Sequence, residues 1–169
     1  LIFILLVSAG VNAQQNQPAT ASKHCLWEVA SPSNKVFLLG SLHLLKSEAY
    51  PLAKEIHKAC SASPKVVFET DIEGMMDPPV QAKMLSMGLY PEGESLLQKI
   101  SAAMRRDLKK KMADLGLPLE QFARFKPWLL AVTLTTRELQ RLGFNPAYGI
   151  DVHYHGRARS DKKTIDYFE

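Results

Sequence analysis

The sequence predicts an α/β fold in which a central mixed sheet is flanked by helices and interrupted by a helical insertion. Three observations predict it. Short aliphatic or β-branched runs, Val36-Phe37-Leu38-Leu39, Val66-Val67-Phe68 and Thr164 to Phe168, are bounded by turn-forming or polar residues. Longer stretches between them carry apolar residues at helical spacing. The resulting order is β-β-α-β, several helices, then β, the signature of a layered α/β arrangement. A chain of 169 residues that is 46% hydrophobic can bury one core and is short for two domains. Charged residues make up 22% with both signs mixed, which excludes a disordered chain.

The chain opens on Leu1-Ile2-Phe3-Ile4-Leu5-Leu6-Val7-Ser8-Ala9-Gly10, apolar and uncharged. A bilayer-spanning helix needs about 20 such residues. The small-x-small triplet Val11-Asn12-Ala13 follows, so residues 1–13 read as a secretory signal peptide that lacks its basic start. That reading places the protein in a secreted or periplasmic compartment, with membrane contact only through this segment; an uncleaved anchor is the alternative. Residues 14–24 form a flexible polar lead-in, and the folded domain is expected over 25–169.

Cys25 to Ala30 and Val36 to Leu39 read as a hairpin around the turn residues Ser31-Pro32-Ser33-Asn34. Leu52 to Ala62 reads as a helix and Lys65 to Glu69 as a buried strand. The insertion is expected to hold a helix over 78–87 and a longer one over 95–115, capped by Ser95 or Glu94 and ended by Gly116 and Pro118. A helical turn or two follows over 119–125. Pro127 then opens a helix running to Leu142 and stopping at Gly143. After the turn Asn145-Pro146, a helix is expected over 149–159 and a last strand over 164–168. In an oxidising compartment Cys25 and Cys60 could form a disulfide, stabilising by about 4 kcal/mol; two buried thiols are the alternative. The net charge is +4. Its densest cluster, Arg105 to Lys111, sits in a helical pattern without the interleaved aromatic residues that base stacking requires. It reads as a solvated face, and no nucleic-acid partner is expected.

Three strand-like runs end in polar residues: Val36 to Leu39 in Gly40-Ser41-Leu42-His43, Lys65 to Phe68 in Glu69-Thr70-Asp71, and Thr164 to Phe168 in Glu169. Open α/β sheets build sites beyond the carboxyl ends of parallel strands. If these runs are parallel neighbours, His43, Glu69 and Glu169 converge. One imidazole with two carboxylates suits a divalent zinc, manganese or cobalt ion, which would activate a bound water. Glu69 is then the candidate general base. Gly40 permits close backbone approach at the strand end. Taken singly, His43 can be an ordinary loop histidine, Glu69 a cap or ion-pair carboxylate, and Asp71 a turn residue. His153-Tyr154-His155 lies in a predicted helix, where residues two apart do not share a face. No His-Glu-x-x-His, Walker loop, dinucleotide fingerprint or nucleophile elbow is present in the sequence.

Several pieces taken in order resemble the TraB/GumN family, related to Tiki-type membrane-associated proteases. They are Leu26-Trp27-Glu28-Val29, Phe37 to His43, Val66 to Asp71, Lys126-Pro127-Trp128, Gly149-Ile150-Asp151 and Lys162 to Glu169. The resemblance covers about residues 25 to 169. It implies an α/β fold and a metal-dependent site made of two Gly-x-x-His motifs with acidic residues between them. Gly40 and His43 match the first motif, Glu69 the acid after the next strand, and Glu169 the glutamate after the Gly-x-Asp helix. No second Gly-x-x-His occurs in this sequence. The domain is therefore expected to be partial, with an incomplete sheet and half a site. The implied activity of the full-length form is metal-dependent hydrolysis, with a peptide or protein as substrate. The alternative is a non-catalytic periplasmic protein holding a metal or haem on the same scaffold.

Overall fold

The computed structural model describes the backbone of residues 2–9 and all of residues 24–169. The predicted lead-in and cleavage triplet lie almost entirely outside the described residues. The chain forms two compact units, Leu1–Ile72 with Phe144–Glu169, and Glu73–Gly143.

The first unit is α/β, as the sequence predicts. Its strands are β1 (Ile2–Ala9), β2 (Leu26–Ala30), β3 (Asn34–Ser41), β4 (Lys65–Phe68) and β5 (Thr164–Tyr167), in the order β2-β3-β1-β4-β5. β2 and β3 form the expected antiparallel hairpin, with the Asn34 amide donating to Ser31 Oγ across the turn at 3.0 Å. β4 and β5 are parallel. β1 runs antiparallel to both β3 and β4. Two reversals restore direction, so β3, β4 and β5 point the same way and their carboxyl ends share one edge. The expectation of three adjacent parallel strands is corrected in one respect: β1 stands between β3 and β4.

Side-chain alternation sorts the sheet into two faces. Phe37, Leu39, Val66, Phe68, Ile165 and Tyr167 share the face covered by α1 (Lys54–Ala62) and α6 (Ile150–Ser160). From α1 come Ile56, Ala59 and Cys60, and from α6 Ile150, Tyr154 and Ala158. These positions recur at helical spacing, which is why α1 was legible and why α6 lies flat on the strands. Cys25 and Cys60 are not paired. Cys60 is sealed in this core, where burial raises its thiol pKa, while Cys25 is exposed ahead of β2.

The second unit is helical: α2 (Pro78–Gly88), α3 (Leu96–Lys99), α4 (Ala102–Asp114) and α5 (Pro127–Arg141), with short 3₁₀ turns. The long helix expected over 95–115 is broken into α3 and α4. Ser95 and Gln98 form a capping box, and Ser101 makes a second cap by accepting from the Met104 amide at 3.2 Å. A cap inside the periodic run starts a new helix where the apolar pattern alone continues. Gly116 (φ 67°) and Gly143 (φ 89°) take left-handed backbone just past α4 and α5. Leu96, Met112 and Leu130 form the core of this unit. On α4, Arg105 donates to the Leu97 carbonyl and Lys111 lies 3.8 Å from Glu138, while Arg106, Lys109 and Lys110 are exposed. Among the described residues, no helix is long and apolar enough to cross a membrane.

Phe68 and Met112 are fully enclosed, one in each unit. Phe68→Ala should lower unfolding free energy by about 3–5 kcal/mol and Met112→Ala by about 2–5 kcal/mol, read from urea denaturation. A loss below about 1 kcal/mol at either position would contradict the packing described.

Candidate functional site

β3 delivers its last residues into a loop that is tied down along its length. The Gly40 amide donates to the Cys25 carbonyl at 2.7 Å, and a Cβ on Gly40 would stand 3.0 Å from the Cys25 Cβ. Beyond the strand, the Ile150 amide at the start of α6 donates to the Leu42 carbonyl at 3.0 Å. Leu45 and Asn145 exchange backbone hydrogen bonds at 2.8 and 3.4 Å. Asn145 Oδ1 accepts from the Ala147 amide, opening the 3₁₀ turn that leads into α6. The loop is thereby fixed against the amino end of α6.

That docking brings His43 to Asp151. His43 Nδ1 lies 2.7 Å from Asp151 Oδ2. An ionised carboxylate only accepts, so the proton of this hydrogen bond belongs to Nδ1, and the neutral form of the ring would present its lone pair at Nε2. The imidazole is 48% exposed and the carboxylate 14% exposed. A partly buried acid thus orients an accessible ring. Gly149 makes the approach feasible: a Cβ there would stand 2.6 Å from the His43 carbonyl oxygen and 2.7 Å from Asp151 Oδ1.

The two other predicted ligands lie on the same sheet edge but are displaced along it. Glu69 and Glu169 follow β4 and β5, where the Glu169 amide donates to the Glu69 carbonyl at 3.1 Å. Leu38, Leu5, Val67 and Asp166 are cross-strand partners in one row. Two residues on, Gly40 and Glu69 are level. The intervening β1 puts β3 and β4 two strand spacings apart, roughly 10 Å. Both glutamates are exposed. Among the described residues, no three His, Cys, Asp or Glu side chains are grouped so as to hold a metal ion.

Asp151 lies in the Gly149-Ile150-Asp151 piece, where the sequence alone assigns it no role. Its available signal was local: an acid in the first turn of a helix, two residues after a glycine. Partnership with a loop 108 positions away has no local signature. His153 and His155 are helical, as predicted, and go separate ways. His155 Nε2 lies 3.2 Å from the Tyr167 hydroxyl, whereas His153 packs near Tyr50, His57 and Tyr154. Ser41 Oγ, Asp151 Oδ1 and His153 Nε2 are buried without a hydrogen-bond partner among the described residues.

Gly149→Ala should destabilise by about 1–3 kcal/mol through overpacking. It should also remove the hydrogen-bonded His43 Nδ1–H resonance from the proton NMR spectrum. A variant that keeps both stability and resonance would show that the loop does not need this close approach.

Residues 25–169 match the TraB/PrgY/gumN family. The chain is 24% identical over 151 residues to the uncharacterized protein YbaP of Escherichia coli (strain K12), covering 87% of this chain and 54% of that protein. It is 23% identical over 151 residues to the uncharacterized protein YbaP of Shigella flexneri, with the same coverage. The chain thus spans about half the length of the curated relatives it matches. No solved structure matches it. With the match extending from Cys25 through the Gly40-to-His43 loop and Asp151 to Glu169, the chain belongs to the TraB/PrgY/gumN family.

Proposed function

We propose that this chain carries the first half of a metal-dependent hydrolase site, with peptides or proteins as substrate, in an exported protein. The observation that supports it most is the 2.7 Å bond between His43 Nδ1 and Asp151 Oδ2. Histidines that bind metals commonly donate their second ring N–H to a carboxylate, which fixes the tautomer and strengthens the ligating nitrogen. His43 has that preparation, with an accessible ring.

The residues fit such an ion only in part. His43 Nε2 would be one ligand, and Glu69 and Glu169 stand along the same edge without closing a cage around it. The remaining ligands would come from the longer protein. A divalent zinc, manganese or cobalt ion, when bound, polarises a carbonyl and lowers the pKa of water. This chain's own contribution is positional. Asp151 holds the His43 ring, the docked Gly40-to-Leu45 loop keeps that ring at the sheet edge, and Glu69, exposed along the same edge, is the residue this reading assigns as proton acceptor for an attacking water.

The test is metal binding and peptide hydrolysis by the full-length protein, followed through three variants. His43→Ala should abolish both. Asp151→Asn should weaken cobalt or zinc affinity by about 10–100-fold in titration calorimetry. Glu69→Gln should leave His43-dependent binding in place and remove turnover. Unchanged binding and hydrolysis in His43→Ala would end the proposal.

A further inference from the structure

Beside the His43–Asp151 pair lies a second histidine arrangement with a different chemistry. His153 is on the same first turns of α6 as Asp151. Its ring centroid is 5.1 Å from Tyr50, 5.9 Å from His57 and 5.0 Å from Tyr154. Tyr50 precedes α1, His57 belongs to α1, and Tyr154 belongs to α6, so the ring is wedged where α6 meets α1 and its leading loop. The Tyr50 hydroxyl is already committed to the Tyr148 carbonyl at 2.9 Å. His57 Nδ1 is already approached by the Tyr154 hydroxyl at 3.1 Å and by Arg157 Nη1 at 3.2 Å. His153 Nε2 is buried and has no hydrogen-bond partner among the described residues.

The facing groups are therefore two phenols, a second imidazole and a guanidinium. Asp151, two residues away on α6, is engaged with His43. Nothing here welcomes a positive charge on His153. A cation this close to the amino end of a helix is also opposed by the helix dipole.

We propose that His153 is a proton-operated latch on α6: the neutral ring seats the amino end of the helix against α1 and holds Asp151 on His43, and protonation releases both. Burial, then His57 and Arg157, lower the His153 pKa from its ordinary value near 6.5. The sign follows from linkage. The unfolded chain takes up a proton on this residue as pH falls below about 6.5, while the folded chain resists it, so the stabilisation is complete above that pH and is lost as pH falls. Protonation of His43 itself would not open the site, because imidazolium remains paired with the Asp151 carboxylate. Loss of the pair in mild acid would therefore report α6, not the dyad.

Functional relevance rests on the His43–Asp151 pair being the working part of the site, but the test reads the hydrogen bond itself and needs neither metal nor turnover. The experiment is a pH titration of this chain by NMR with labelled imidazole nitrogens. The hydrogen-bonded His43 Nδ1–H resonance should lose more than half its intensity below pH 6.5, in step with His153 protonation. In His153→Phe, which keeps an aromatic wedge and cannot titrate, it should persist through the pH range in which the parent chain loses it. Persistence of the His43 resonance through the protonation of His153 in the parent chain, or loss at the same midpoint in the variant, would overturn the latch. If His153→Phe does not fold, the parent titration still decides: His153 protonating while the His43 resonance remains intact would overturn it equally.

Discussion

Everything at the sheet edge depends on one close contact, the docking of the Leu42 carbonyl onto the Ile150 amide across Gly149. It joins the end of β3 to the start of α6. It satisfies an amide that a helix start would otherwise leave without a partner. It also leaves no space for any side chain at position 149. The His43–Asp151 bond is a consequence. Once the two backbones are locked, the imidazole and the carboxylate are neighbours before either makes a contribution of its own. An ion pair with a half-exposed imidazole contributes little to stability. The backbone contact beneath it supplies the order.

Elements with strong local signals were legible in the sequence. The Val66-to-Phe68 strand, the Pro127 helix start and the hairpin around Ser31 to Asn34 each carry their physics within a few residues. The split of the 95–115 helix escaped because Ser101 caps a new helix without disturbing the apolar period. The place of β1 escaped for another reason. An uncharged, mostly apolar run carries no local mark of which strands it will pair with.

The site was legible in part for the same reason. Polar residues at the ends of β3, β4 and β5 could be read from composition, and a common direction for those strands could be expected. Their order in the sheet could not. Placing β1 between β3 and β4 turns an expected cluster of His43, Glu69 and Glu169 into a line along one edge. Asp151 was visible only as an acid beginning a helix. The disulfide reading fails on burial: Cys60 is packed among Ile56, Val66 and Tyr154, and Cys25 is outside that core.

The first unit is discontinuous, with α6 and β5 returning after the whole of Glu73–Gly143 has been made. His43 and Asp151 are consequently separated by a long stretch of chain, and their encounter has to await late-synthesised sequence. The entropic cost of closing such a loop grows only as the logarithm of its length, about 0.6 kcal/mol for each doubling. The helical unit can therefore lengthen, shorten or be rebuilt over evolutionary time at little thermodynamic cost to the α/β unit that brackets it. Sequence drift in this family should accordingly concentrate between Glu73 and Gly143, while the Gly40–Leu45 loop and the Asn145–Asp151 segment change together or not at all.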